Sequence, residues 1–217
     1  MSRFLIVPLA LLLALPVLAD GDISKVNGSV RVEANQTAGD VSTVNGSIRI
    51  EDGARVESAE TVNGSIALTA DVGARELSTV NGSIEVGPRS RIAESVETVN
   101  GRVHLGRGAE VSGAVSNVNG EIRLDAARVG GGIKTVSGNV LVGADSRVDG
   151  DLLVEKPGGW FTSGNSRKPR IVIGPRAVVE GTLEFRREVE LFVSDTAQIG
   201  PIKGANAQAF SGDQPAG

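Results

Sequence analysis

Val44-Asn45-Gly46-Ser47-Ile48-Arg49-Ile50 returns eighteen residues later as Val62-Asn63-Gly64-Ser65-Ile66-Ala67-Leu68, and again as Val80-Asn81-Gly82-Ser83-Ile84-Glu85-Val86. The same tripeptide stands at Val26-Asn27-Gly28, Val99-Asn100-Gly101 and Val118-Asn119-Gly120, with a degenerate seventh copy at Val136-Ser137-Gly138. Successive Asn residues lie 18, 18, 18, 19 and 19 apart, and 18 more reach Ser137. So short and regular a period belongs to a solenoid, in which each coil hides its apolar side only by stacking on its neighbours.

Aligned on Asn, apolar residues fall four before it (Ile23, Val41, Ala59, Leu77, Val96, Val115, Ile133) and one before it (Val26 to Val136). After it they recur at plus three and plus five, as in Ile48/Ile50 and Ile84/Val86. That alternation is a half-buried strand, which turns Arg31, Arg49, Ala67, Glu85, His104 and Arg123 to solvent. The step of three before Asn breaks the period and predicts a bend, with the preceding Val counted among the core. Asn-Gly is a strong turn signal because Gly takes positive φ freely and Asn tolerates the left-handed region. Since the apolar positions keep one sense from coil to coil, equivalent strands should stack parallel, about 4.8 Å apart. In-register stacking would then build an Asn ladder and a Thr row at Thr43, Thr61, Thr79, Thr98 and Thr135. The expected fold is all-β: a single-stranded parallel β-helix of roughly ten coils over residues 20–203, a rod on the order of 45 to 50 Å long.

The chain ends read differently. Arg3, an apolar run over residues 4–18 and the small residues before Asp20 make residues 1–19 a secretory signal peptide, hence a periplasmic or extracellular destination. An uncleaved anchor fits less well, because the run is shorter than a span of roughly 20 residues and holds Pro8 and Pro16. With no Cys, stability rests on packing and backbone ladders. The net charge of −4 disfavours a nucleic-acid partner, which needs a basic field. Aromatics are 3% of the chain and Gly contributes 29 residues, an inventory suited to narrow coils filled by aliphatics.

After Val142 the Asn disappears, although residues 148–154 and 178–185 still alternate like coils. Residues 156–170 interrupt the rhythm and predict a protruding loop. It carries the one aromatic pair beside cations, Trp160 and Phe161 with Arg167, Lys168 and Arg170, which suits a glycan, a membrane surface or an envelope protein, or folds back onto the rod. Residues 204–217 read as a flexible tail in which Phe210 could shield the last coil.

The Val-Asn-Gly-Ser-Ile unit resembles exported adhesin-like β-strand repeat proteins. Ile171-Val172-Ile173-Gly174-Pro175-Arg176-Ala177-Val178-Val179-Glu180-Gly181-Thr182-Leu183 and Ala197-Gln198-Ile199-Gly200-Pro201-Ile202 are similar to coils of bactofilins, the polymer-forming cytoskeletal proteins. The second resemblance implies a right-handed β-helix that associates end to end into filaments without nucleotide.

Enzymatic readings find little to stand on. The single His104 occupies an outward strand position with no carboxylate fixed beside it by spacing, so it reads as a bystander. No paired carboxylates recur on one face, and Gly130-Gly131-Gly132 lacks the continuation of a calcium-binding nonapeptide. No catalytic residue, cofactor or metal is therefore assigned. The sequence predicts a non-catalytic envelope scaffold that self-associates, or else a binding module using the 156–170 loop. Its marked residues are the corners Asn27, Gly28, Asn45, Gly46, Asn63, Gly64, Asn81, Gly82, Asn100, Gly101, Asn119 and Gly120.

Overall fold

The computed structural model describes residues 21–158 and 167–215. Among them there is no helix, and the strands stack as a β-solenoid of about ten turns. Every strand pairs in parallel with its copy one coil away, as in Thr37–Asn45 on Arg55–Asn63 and Ile48–Ile50 on Ile66–Leu68. The register is that of the repeat: Val41 faces Ala59 and Leu77, and Asn45 faces Asn63 and Asn81.

Each coil has three sides. The first is the strand that ends at Asn, and the second is the short strand after Asn-Gly. The third begins as the N-terminal part of Thr37–Asn45 and shrinks to dipeptides such as Arg91–Ile92 and Glu110–Val111. The interior is columns of aliphatic side chains: Ile48, Ile66 and Ile84 from the second side, Val41, Ala59 and Leu77 from the first, all fully buried. Because a thin core offers each side chain partners only above and below, stability accrues coil by coil.

The corner between the second and third sides is a tight turn built on one left-handed residue. It is Asn35, Gly53, Asp71, Arg89, Gly108, Ala126, Asp145 and Arg176 in successive coils, with φ between 46 and 70°. Left-handed Arg is costly, and Arg89 and Arg176 are held there by paired bonds to Asp71 (2.8 and 2.5 Å) and Asp145 (both 2.7 Å).

The Asn-Gly corner obeys a different rule from the one expected. None of the ladder Asn residues has positive φ, and of these six Gly only Gly28 and Gly120 do. What requires Gly is contact between coils: a Cβ on Gly64 would stand 1.9 Å from the Gly46 carbonyl oxygen, and one on Gly82 1.8 Å from that of Gly64.

The expected bend between Val41 and Val44 is also absent. From Val41 to Val44 the strand alternates, so Val41 and Thr43 point in and Val44 points out, and the chain turns earlier, between Ala38 on the third side and Val41 on the first. The Val row predicted as core is in fact the large exposed apolar set, with Val26 67% and Val44, Val62, Val80, Val99 and Val118 37 to 40% exposed. Backbone parity won: along one straight side of the coil, two residues at an odd spacing cannot both face inward.

Further along, the step from Val140 to its partner Ile171 is 31 residues, which places the extra chain between Leu152–Val154 and Arg170–Ile173. The stack also outlasts the expected boundary at 203. Ala207–Phe210 pairs with Glu190–Ser194, so the first part of the presumed tail is a strand of the tenth coil.

Candidate functional site

The repeat builds two polar ladders side by side. Nδ2 of Asn45, Asn63, Asn81, Asn100 and Asn119 each donates to Oδ1 of the Asn one coil before, all at 3.0 Å. Just inside, Thr43, Thr61, Thr79 and Thr98 donate to the carbonyls of Gly28, Gly46, Gly64 and Gly82 at 2.9 to 3.1 Å. These are the carbonyls that the next Gly nearly touches, so the hydroxyl satisfies an acceptor that has no room for water. In the sixth coil Asn117 replaces Thr; its Oδ1 accepts from Thr135 at 2.6 Å, but its buried Nδ2 has no partner.

Between the ladders and the flank of the first side stands the valine row. Its outward neighbours two positions earlier are mostly small: Ser24, Ser42, Ser78 and Ser116, with Glu60 and Glu97 among them. At the seventh coil the row stops. Arg187 donates to the Val136 carbonyl at 3.2 Å and to Ser137 Oγ at 3.1 Å. One and two coils on, the row is continued by Glu155 and Arg186, which are joined at 3.0 Å, with Glu184 bonding Arg186 at 2.8 Å.

The second side carries a different cluster. His104 Nε2 lies 2.8 Å from Asp125 Oδ2, its Nδ1 faces Glu85 at 4.0 Å, and Arg123 Nε donates to Asp125 at 3.1 Å. Burial pushes the Asp125 carboxyl up, but hydrogen bonds from Arg123 and His104 outweigh it and hold the group below its ordinary range. Spacing alone missed this pairing, because Asp125 reaches His104 from the following coil, two residues past the outward row. With carboxylates at both ring nitrogens, the imidazole bridges coils. A groove of about 850 Å³ opens here, lined by His104, Arg107, Arg123 and Arg170 and on its far side by Asp213 and Pro215.

Of the residues marked on the loop, Trp160 and Phe161 lie outside the described residues. Arg167 is exposed, Lys168 pairs with Glu188 at 3.0 Å, and the Arg170 guanidinium sits 4.6 Å above the Phe192 ring. Two of the three cations are thus engaged with the rod. The corner residues, by contrast, are gathered into one continuous face. Comparison with protein-family models, with curated protein sequences and with solved structures gave no match, so the function is argued from this geometry.

Proposed function

We propose that the chain is an exported, non-catalytic structural rod of the bacterial cell envelope that associates with further copies of itself. The observation that carries this reading is the state of the two ends. Ile23–Asn27 and Val30–Val32 pair only with the second coil, and Ile202–Lys203 and Ala207–Phe210 only with the ninth. Among the described residues each terminal coil therefore leaves a row of backbone donors and acceptors on its outer edge, a template for another strand. The composition of residues 1–19 supports export, and surface chemistry arranged in long ladders suits a scaffold better than a converged reaction centre. Electron microscopy and light scattering of the purified chain over a concentration series test the proposal. Rods longer than one molecule, or a mass that rises with concentration, are expected; a monomer that persists at every concentration overturns it.

A second reading, a glycan-, lipid- or protein-binding module, draws on the groove at the root of the 156–170 insertion, where Arg170 is part of the lining. Trp160→Ala with Phe161→Ala should then abolish capture on glycan or vesicle supports while the β spectrum stays unchanged. Undiminished capture removes that reading.

A further inference from the structure

We infer that the valine row is a lateral interface, at which a second copy of the chain packs side by side with its rod axis parallel. This rests on the self-association reading and adds a lateral face to the open ends.

The area is sufficient. At the exposures found, Val26, Val44, Val62, Val80, Val99 and Val118 leave about 400 Å² of apolar surface, as large as the biggest patch on a typical monomer. Two copies meeting there bury about 800 Å² of valine alone, and the Ser, Glu and Asn rows alongside carry the contact past the roughly 1,000 Å² of a specific interface.

The pitch selects the occupant. A column of identical side chains spaced one strand apart is filled throughout only by a surface with the same spacing, and a second copy has it by construction. The serines beside the row let two sheet faces approach to the roughly 10 Å of packed sheets.

Charge selects the orientation. Glu60 and Glu97 lie on one flank of the row and the Asn ladder on the other. A two-fold axis along the rods sets the carboxylate flank of one copy against the amide flank of its partner. Antiparallel rods with all six valines matched would put both carboxylate flanks on one side, where Glu60 and Glu97 of the two copies alternate on successive coils, and like charges so crowded disfavour it. The interface also has a built end, because Arg187 covers the seventh position and the Glu155–Arg186 pair replaces the next two.

The chain has no Cys, so single cysteines report the contact directly. Parallel rods place each valine opposite its own copy, so Val44→Cys, Val80→Cys and Val118→Cys should each form disulfide-linked dimers. Arg91→Cys, on the third side, serves as the exposed control. Val80→Arg should weaken association at least about tenfold by placing unpaired charge in the interface, with an unchanged circular dichroism spectrum. Cross-linking no faster than the control, or association untouched by Val80→Arg, overturns the inference while leaving self-association standing. A wild-type chain that never associates removes both.

Discussion

The first six coils and the last four solve the same stacking problem with different chemistry. In the regular half the corner is closed by neutral ladders, Asn on Asn and Thr on Gly carbonyl, and the outward position is Val. From the eighth coil the Thr position becomes Val154 and Phe185, and the Val position becomes Glu155 and Arg186. There apolar side chains fill the Thr position, and charge takes over the surface. The difference shows that a bare valine is not a requirement of the solenoid, since the fold places an ion pair at that position equally well. An apolar row restricted to six consecutive coils therefore asks for a separate explanation, and a partner provides one.

The sharpest way to break the regular half is at its glycines. Gly82→Ala puts a methyl 1.8 Å from the Gly64 oxygen, where neither backbone can yield without parting two coils. A loss of about 3 kcal/mol or more is expected, enough to prevent folding of the affected coils. Gly73→Ala meets only the movable Arg55 guanidinium at 3.1 Å and should cost far less. Chemical denaturation of the two variants checks this, and equal midpoints would refute the close-contact account of the Asn-Gly corner.

Much of this was legible beforehand. The eighteen-residue period dictates coil, register and ladder, because identical residues at a fixed step can stack only on themselves. Parity was the part misread. Val41 and Val44 are both aliphatic, and hydrophobicity alone counted both as core, yet only Val41 and Thr43 share a face of one strand. Thr hides as well as Val once its hydroxyl has an acceptor, and that acceptor, the preceding Gly carbonyl, is visible only in three dimensions. The His104–Asp125 contact was illegible for a similar reason: it joins different positions of adjacent coils, so no alignment on Asn brings the two together.

A gentler probe repairs the one flaw in the regular half. Asn117 stands where the other coils have Thr, and its buried amide nitrogen donates to nothing. Asn117→Thr restores the hydroxyl bond to the Gly carbonyl below and removes the orphan donor. It should raise stability by about 1 kcal/mol, read as a higher denaturation midpoint with unchanged slope. A lower midpoint would mean that the Thr135–Asn117 bond outweighs the orphan.

Acid distinguishes the halves more subtly. Arg176 holds the Asp145 carboxyl below its ordinary range; for Asp149 burial acts upward, and Arg128 and Arg147 outweigh it. Asp125, at the close of the sixth coil's second side, is depressed in the same way. A carboxyl whose folded pKa is depressed adds stability above its unfolded value, and that stability is lost as pH falls through the folded one, so these contacts fade below about pH 4. Between residues 40 and 100 there are two such carboxyls, Asp52, held down by bonds from the Thr69 hydroxyl and the Ala70 amide, and Asp71, held by Arg89, but the Asn and Thr ladders there do not titrate. Amide exchange protection near pH 3 should therefore fall more between residues 125 and 180 than between 40 and 100, by a small margin because these ion pairs are largely exposed and screened. A uniform loss along the rod would show that charge contributes no more to the later coils than to the first, and that the two halves differ in surface chemistry without differing in what holds them.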